Sequence, residues 1–335
     1  MLGRWLQQQW FQRRLTPALW LLLPLLWPLQ VLYVLVFAWR RRSTAVEHLP
    51  VPVVVVGNLI VGGAGKTPLT LWLARHLAER GWRPGIISRG YGGRNQLPRP
   101  VLADSAPQEV GDEPILLARC GAGPVWVGRD RLATGRALLA AYPAVNVLLC
   151  DDGLQHHRLG RDVELVVFDA RGAGNGWRLP LGPLREPLQG LATVDALIGN
   201  DLNLAALPAH RNRFSMRLQP GDFYRLGQVD RRCGAADLRG RNLHALAGIG
   251  DPGRFFRTLR DLNLDFVAHP FADHHPYTVA DLAFGEDAVL LMTEKDAVKC
   301  ADLTQAEAWV LPVEADVAPA LIDLIVEKLR GRPIA

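Results

Sequence analysis

A glycine-rich segment that ends in Gly65-Lys66-Thr67 is the strongest chemical signal in the sequence. It follows a β-branched run at 53–56 and precedes a stretch from about Pro68 to Arg80 that has helical character. Between a strand and a helix, such a loop turns its backbone N–H groups toward phosphate oxygens, while the lysine reaches the β- and γ-phosphates and the hydroxyl binds Mg²⁺. We therefore expect ATP to be bound by Gly62, Gly63, Ala64, Gly65, Lys66 and Thr67.

The segment departs from the standard Walker A pattern at one position. A glycine is expected five residues before Gly65, where Ile60 stands. The loop is similar to the deviant loop of partitioning-type ATPases, but Val61 replaces the signature lysine of that class. Lys66 is nevertheless the only lysine among the first 294 residues of an arginine-rich chain. Because arginine cannot replace a compact ammonium here, a purely structural glycine turn explains the pattern poorly.

Two acids, Asp151 and Asp152, end the apolar run that begins at Val147. Carboxylates at the carboxyl end of a strand lie where open α/β sheets bind ligands, and one of them can hold Mg²⁺ directly or through water. Many strands end in Asp, so the run is a weak signal alone and a strong one beside the phosphate loop. We expect Thr67, Asp151 and Asp152 to form a magnesium site.

Three further blocks contain side chains that could do chemistry. Asp112-Glu113 is typical of a helix start, and the pattern alone favours a cap there. Asp273-His274-His275 could bind a metal, but neighbouring side chains seldom share one face, so a loop or packing role is favoured. Thr293-Glu294-Lys295-Asp296 follows an apolar run and resembles a strand-to-helix cap, and its pattern indicates no chemical role.

The elements that must position these residues alternate between strand and helix. Strands are predicted at 53–56, 85–88, 125–127, 145–150 and 164–168, with helices at 68–80, 112–119 and 131–141 between them. This alternation predicts a P-loop NTPase-like, doubly wound, mostly parallel sheet.

A smaller α/β unit is expected in the C-terminal part. Runs at 213–218 and 223–226 flank Gln219-Pro220-Gly221-Asp222 and predict a β-hairpin, with further strands at 243–247, 266–269 and 289–292 and a last helix at 320–328. We therefore predict a membrane-anchoring segment at 1–42, a P-loop core at 43–210, and a C-terminal α/β domain at 211–335 joined by a hairpin linker.

The N-terminal segment has the composition of a membrane anchor. Residues 15–39 carry no charge, and as a helix they would span about 37 Å, more than the roughly 30 Å of a hydrocarbon core. Prolines at 17, 24 and 28 leave a kinked span, a re-entrant hairpin and an interfacial helix open. The run is too long for a typical signal peptide and no small-residue cleavage site closes it.

Charge and cysteine content narrow the function classes. Of the 38 basic residues, six arginines lie in residues 1–42, which carry no acid, and this leaves 32 basic against 33 acidic residues in the rest. The basic excess therefore indicates an anionic membrane surface, and no nucleic-acid partner is expected. The four cysteines lie far apart, as expected in a reducing compartment.

With these segments in hand, the chain resembles the tetraacyldisaccharide 4′-kinase family, the kinases of lipid A biosynthesis, over nearly its whole length. Seven ordered blocks carry the resemblance: Gly57-Asn58 with the Gly62–Thr67 loop, Ser88-Arg89-Gly90-Tyr91-Gly92, Gly111-Asp112-Glu113-Pro114, Asp151-Asp152-Gly153-Leu154-Gln155-His156, Leu184-Arg185-Glu186-Pro187, Asp273-His274-His275 and Thr293-Glu294-Lys295-Asp296. Leu154 is the clearest departure, since an aromatic residue is expected there.

The resemblance implies transfer of the ATP γ-phosphate to the 4′-hydroxyl of a tetraacylated glucosamine disaccharide 1-phosphate. It implies that Asp112 is the general base with His274 in support, and that Asn58 joins the nucleotide site. It further implies that the cleft is lined by Tyr91, Gln155, Arg185 and Glu186. The enzyme would act on a membrane lipid at the cytoplasmic face of the bacterial inner membrane, and the sequence indicates no protein partner.

Two other functions remain open at this point. A membrane-bound regulatory ATPase of the partitioning class would use the same loop, although Val61 counts against it. A GTPase would require an Asn/Thr-Lys-x-Asp motif, which Glu294-Lys295-Asp296 does not supply.

Overall fold

The computed structural model describes residues 2–12, 14–94, 97–304 and 306–331. Met1 and Arg13 of the predicted N-terminal segment, and residues 305 and 332–335 of the predicted C-terminal unit, lie outside the described part. The helices are α1 (Leu2–Trp10), α2 (Pro17–Ser43), α3 (Lys66–Glu79), α4 (Pro107–Val110), α5 (Asp112–Arg119), α6 (Arg131–Ala141), α7 (Pro252–Asp261), α8 (Glu294–Cys300) and α9 (Ala320–Arg330).

The strands belong to two sheets. In chain order they are β1 (Val53–Gly57), β2 (Pro84–Ser88), β3 (Arg99–Val101), β4 (Val125–Val127), β5 (Val147–Asp151), β6 (Val163–Phe168), β7 (Ala196–Asn200), β8 (Arg213–Pro220), β9 (Phe223–Arg225), β10 (Gln228–Cys233), β11 (Leu243–Ala247), β12 (Val267–Pro270), β13 (Val289–Thr293), β14 (Glu307–Leu311) and β15 (Val313–Val317).

The larger sheet has the order β15-β8-β7-β6-β1-β5-β2-β4-β3. Its seven inner strands pair in parallel, and an antiparallel strand closes each edge, β15 against β8 and β3 against β4. Strand β1 lies between β5 and β6, so the loop that follows it opens at the carboxyl edge of the sheet. The prediction of a mostly parallel P-loop sheet is confirmed.

Alternate residues of β1 explain why helices cover both faces of this sheet. Val54 and Val56 pack in one buried cluster with side chains of α3, α5 and α9. Val53 and Val55 pack in another cluster with Leu132 and other residues on the side of α6. Since successive side chains of a strand point to opposite faces, an all-valine strand needs apolar partners on both sides. The sheet is therefore doubly wound, as predicted.

The smaller sheet has the order β10-β9-β14-β13-β11-β12. Strands β14, β13, β11 and β12 are parallel, whereas β9 pairs antiparallel with β14 and β10. Its carboxyl edge carries the loops that follow β11 and β13. The predicted smaller α/β unit is present.

The predicted hairpin between the two units is wrong. Strand β8 pairs with β7 and β15 in the larger sheet, whereas β9 pairs with β10 and β14 in the smaller one. The segment Gly221-Asp222 therefore passes from one sheet to the other. The C-terminal segment also belongs to the larger unit, because β15 pairs with β8 and α9 packs in the core of the larger sheet. A boundary at residue 210 therefore does not separate the two sheets.

Helix α2 is a single helix of 27 residues that includes Pro24 and Pro28, so the hairpin alternative for this segment is not observed. Thr16 caps its first turn, and the three arginines 40–42 lie in its last turn. By length and mean hydropathy (2.1 over its most apolar window) it could cross a membrane. Its large side chains are mostly exposed, as Leu21 and Trp39 are. Tyr33 is different, because its hydroxyl donates to the carbonyl oxygen of Arg185 at 2.8 Å.

A core substitution in α9 tests whether this C-terminal helix packs on the larger sheet. Leu321 is fully buried in the core of the larger sheet, so Leu321→Ala should lower the free energy of unfolding by about 2–5 kcal/mol. Leu102, which is 58% exposed, provides the matched control Leu102→Ala, which should change stability little. Denaturant unfolding of both variants checks this. Equal stability of the two would contradict the packing of α9 on the larger sheet.

Candidate functional site

The phosphate loop follows β1 and leads directly into α3. Gly65 caps α3 with φ of +94°, and Gly62 also has a positive φ of +96°. A Cβ at Gly65 would collide with the side-chain amide of Asn200, which donates to the carbonyl oxygen of Ala64 at 2.9 Å. Glycine is therefore required at this position by both backbone conformation and space.

Lys66 lies at the first position of α3 and is 8% exposed. Its Nζ donates to Oδ1 of Asn58 at 3.2 Å and forms an ion pair with Oδ1 of Asp152 at 3.3 Å. Asn58 is fully buried and donates through Nδ2 to the carbonyl oxygen of Gly62 at 3.0 Å. One amide thus fixes both the loop backbone and the lysine that the sequence assigned to phosphate.

Asp151 ends β5 beside the start of α3. Its carboxylate accepts from the Thr67 hydroxyl at 3.5 Å and from the Thr70 hydroxyl at 3.1 Å. Burial, with a further contribution from the nearby Glu113 charge, raises the pKa of Asp151 to about 7. Carboxylate and hydroxyl oxygens are the hard donors that Mg²⁺ prefers, and two adjacent ligands of one such ion lie about 3 Å apart. The chemistry and spacing of Thr67 and Asp151 therefore fit a magnesium ion.

Asp152 is held differently from its neighbour. It adopts a positive φ of 49°, and its Oδ1 contacts both Lys66 and Arg185, the latter at 3.5 Å. Burial alone would raise the pKa of Asp152, but the charges of Lys66 and Arg185 outweigh it, so the pKa is lowered. The two predicted metal ligands are thus distinct: Asp151 faces hydroxyls, and Asp152 orients two cations.

Three of the four residues assigned to the acceptor form one network beside Asp152. Gln155 donates to Glu186 at 3.1 Å and accepts from Arg185 at 3.1 Å, and it also donates to the carbonyl oxygen of Asn58. Glu186 is 6% exposed, and burial raises its pKa. The fourth residue, Tyr91, lies apart from this network, with its ring 4.9 Å from the ring of His274.

Asp112 and His274 meet although they come from different units. Asp112 opens α5 in the larger unit, one position after the cap residue Gly111, so it is not the N-cap that its pattern favoured. His274, in the loop after β12, places Nδ1 3.1 Å from Oδ2 of Asp112. Burial opposes ionisation of Asp112, but the His274 hydrogen bond and the Lys295 charge outweigh it, so its pKa is lowered.

The backbone of His274 shows that this contact is held in place. Its φ is +58°, a left-handed conformation that L-residues adopt at a cost and that commonly marks functional sites. The backbone N–H of His274 donates to the carbonyl oxygen of Gly248, at the end of β11, at 3.2 Å. Neighbouring His275 points away and contacts Asp281 instead, so the two histidines do not form a metal site.

A cleft of about 1880 Å³ separates the loops of the two units. The phosphate loop lies on one side, and Asp273 and Lys295 lie on the other. A Cβ at Gly250 would lie 3.3 Å from the backbone nitrogen of Gly63 and 3.6 Å from Oδ2 of Asp273. The phosphate loop and the loop of His274 therefore border the same space, as a nucleotide and a second substrate require.

Several residues at the site were missed in the sequence. Asn200 ends β7 at the same sheet edge as Asp151. A polar side chain at the end of an apolar strand could have indicated from the sequence that Asn200 belongs to the site. Arg171 donates to the carbonyl oxygen of Gly63 at 2.7 Å while paired with Asp169, but one arginine among many gives no signal. Lys295 contacts His274, and its signal was the scarcity of lysine in this chain.

Residues 22–330 match the family described as Tetraacyldisaccharide-1-P 4′-kinase. The chain belongs to this family. The resemblance noted in the sequence is confirmed, and the chain is a kinase.

Relatives that carry the name of this kinase family are similar in sequence over most or all of the chain. The tetraacyldisaccharide 4′-kinase of Dechloromonas aromatica is 64% identical, covering 100% of both chains, and that of Alkalilimnicola ehrlichii is 51% identical, covering 91% of this chain and 93% of the relative. A solved structure of LpxK from Aquifex aeolicus in complex with ATP aligns with a TM-score of 0.76 and 28% identity, covering 90% of this chain and 98% of that one. The partitioning-class ATPase alternative finds no support in these matches.

Lys66→Ala tests the phosphate site. The variant loses the only lysine of the loop, so ATP turnover should fall at least about 10²-fold while the protein stays folded. Lys328 lies on α9 and forms an ion pair with Asp195; Lys328→Ala is the matched control and should keep its turnover. Steady-state rates with thermal melts check both variants, and near-normal phosphate transfer by folded Lys66→Ala would contradict the assignment.

Proposed function

We propose that this cleft transfers the γ-phosphate of ATP to the 4′-hydroxyl of a tetraacylated glucosamine disaccharide 1-phosphate, with Asp112 as the general base. The reaction is that of the kinase family to which the chain belongs, in lipid A biosynthesis. The observation that carries the choice of base is the 3.1 Å contact between buried Asp112 and His274, beside a cleft that also contains the phosphate loop.

The nucleotide side of the reaction depends on the phosphate loop. The backbone N–H groups of Gly62 to Gly65 bind phosphate oxygens, and Lys66 exchanges part of its contact with Asp152 for the β- and γ-phosphates. Asn58 keeps the lysine in place, because its amide oxygen lies 3.2 Å from Nζ. Positioning and charge neutralisation account for most of the catalysis of phosphoryl transfer.

Thr67 and Asp151 would hold Mg²⁺, and the neighbouring Asp152 contacts Lys66 and Arg185. Mg²⁺ supplies charge neutralisation on the phosphates when it is bound. The raised pKa of Asp151 belongs to a fully buried carboxyl, and the nearby Lys66 charge offsets only part of the effect of burial. A divalent cation favours the ionised form of such a group, and this is consistent with a role as its ligand.

Asp112 acts on the acceptor. Its lowered pKa keeps the carboxylate ionised near neutral pH, so it can accept the proton of the sugar hydroxyl as that oxygen bonds to the γ-phosphorus. The bond from the γ-phosphorus to the bridging oxygen then breaks, and ADP leaves. His274 orients the carboxylate through Oδ2. On the sugar side we assign Tyr91, Gln155, Arg185 and Glu186.

The acceptor is a lipid, and α2 provides a means of reaching it. A molecule with four acyl chains does not leave a bilayer readily, so the kinase must meet it at the surface. The exposed apolar side chains of α2 suit the interior of the inner membrane. The anionic lipids of that membrane attract the arginines in the last turn of the helix. We therefore assign the protein to the cytoplasmic face, where ATP is available.

The Asp112→Asn variant tests the proposed base. Amide and carboxyl have the same shape, but the amide cannot accept the proton, so turnover should fall about 10²–10⁴-fold with nucleotide affinity largely kept. His274→Ala should also lower the rate, and the double variant should lose less than the product of the two effects, since the pair acts as a unit. The measurement is labelled phosphate transferred to the disaccharide lipid at saturating ATP.

Two outcomes would overturn the proposal. Retention of most turnover by folded Asp112→Asn would remove Asp112 as the base. Lipid-stimulated ATP hydrolysis without phosphorylated lipid in the wild-type protein would replace the kinase with an ATPase. Asp104→Asn, in a turn at the surface, is the matched control and should behave as the wild type.

Deletion of residues 1–42 tests the membrane assignment. The truncated chain loses α2 and the six arginines of this segment, so it should move to the soluble fraction. Its rate on lipid in vesicles should fall mainly through KM. Sedimentation with vesicles checks this, and unchanged sedimentation would show that another surface binds the membrane.

A further inference from the structure

Lys295 is the one residue of the Thr293–Asp296 block that reaches the proposed base pair. Its Nζ lies 3.1 Å from Glu113 Oε1, 3.1 Å from Asp273 Oδ1 and 3.2 Å from Nε2 of His274. Its side chain is 15% exposed. Since an ammonium has three hydrogens and no acceptor, these three neighbours match its three donors.

The contact with His274 decides where the imidazole carries its proton. An ammonium can only donate, so Nε2 must present its lone pair to Lys295. The proton of the neutral ring then sits on Nδ1 and is donated to Oδ2 of Asp112. The other neutral tautomer would place an N–H against the ammonium and a lone pair against the carboxylate, so both contacts would be repulsive.

We propose that Lys295 is a positioning residue of the kinase site, which donates to Nε2 of His274 and thereby fixes the imidazole tautomer in which Nδ1 carries the proton that is donated to Asp112. This inference rests on the proposed function, because it gives Lys295 its role through Asp112 and His274. It assigns chemistry to a block whose sequence pattern indicated only a helix cap.

The rest of the block fixes α8 so that Lys295 can reach its partners. Thr293 caps the helix by accepting from the backbone N–H of Asp296 at 3.2 Å. Fully buried Asp296 accepts the backbone N–H of Gly248 with both oxygens, each at 3.2 Å. The carbonyl oxygen of Gly248 in turn accepts the N–H of His274. These hydrogen bonds therefore link α8, the end of β11 and the loop that carries His274.

Charged groups from both units surround the imidazole. The titratable and charged groups that face the ring or its partners are Asp112 and Glu113 from α5, Lys295 and Lys299 from α8, Asp273 on the same loop, and Tyr91 after β2.

The compact shape of lysine suits this position. Glu113 belongs to the larger unit, and Asp273 and His274 to the smaller one, so the three acceptors converge on one point from two sides. A planar guanidinium presents its donors in a fork and cannot serve three such acceptors equally. The chain has only four lysines, Lys66, Lys295, Lys299 and Lys328.

The test compares Lys295→Met, Lys295→Arg and the control Lys328→Met in the full chain in detergent. The rate of lipid phosphorylation is measured from pH 3 to 9, so that the acid limb set by Asp112 falls within the range. In parallel, two-bond ¹H–¹⁵N spectra of histidine-labelled wild-type protein report the tautomer of His274, which is assigned by its loss in His274→Gln.

We expect Lys295→Met to lower kcat about 10- to 100-fold and to leave the KM for ATP nearly unchanged. Its acid limb should move to higher pH, because the Lys295 charge that helps to lower the pKa of Asp112 is gone. Lys295→Arg keeps the charge, so its acid limb should stay in place although its kcat is reduced. The wild-type spectrum should show the ring neutral with its proton on Nδ1.

Three results would overturn the inference. One is a pH profile of Lys295→Met that superimposes on the wild type after scaling, as loss of a merely structural ion pair would give. Another is a wild-type His274 with its proton on Nε2, which needs no variant to fold. The third is an active Asp112→Asn, which removes the proposed base and this inference together. An inactive Asp112→Asn with an unshifted Lys295→Met removes this inference alone.

Discussion

Parallel pairing of β1 with β5 and β6 is the constraint on which the phosphate site depends. It brings the carboxyl ends of these strands to one edge of the sheet. The loop after β1, the acids Asp151 and Asp152 at the end of β5, and the Asn200 amide at the end of β7 therefore lie close together. The valine run of β1 is buried on both faces, which makes its register costly to change. The packing of the core therefore fixes the relative positions of Lys66, Asn58 and Asp152.

The proposed base pair depends on the second sheet as well. Its carboxyl edge faces that of the first: the loop after β11 lies beside Gly63, and the loop after β12 reaches α5. Asp112 and Glu113 thus have their partners, His274 and Lys295, on the opposite unit. Chemistry at Asp112 requires both units to be in contact, whereas the phosphate loop is complete within one.

Local features of the sequence predicted most of the fold, and they located the residues that we propose for the nucleotide half of the site. Strands such as β1 and β5 are short apolar runs, and the Gly62–Thr67 loop signals itself by spacing. Contacts between distant segments could not be read this way: β8 joins β15 nearly a hundred residues later, and a turn sequence suggested a hairpin in its place. Lys295 and Glu113 are 182 residues apart, so only their three-dimensional convergence shows the cluster.

The hydrogen bond from Tyr33 to Arg185 fixes the position of the apolar helix α2 relative to the site. Arg185 bonds to Tyr33 through its carbonyl oxygen and to Asp152 and Gln155 through its guanidinium. Tyr33 lies about 15 Å along the helix axis from its last residue, Ser43. In the membrane setting proposed above, α2 would hold Arg185 at a set distance from the bilayer, so the thickness and tilt of the bilayer would set how far an acceptor hydroxyl must rise to reach the phosphate.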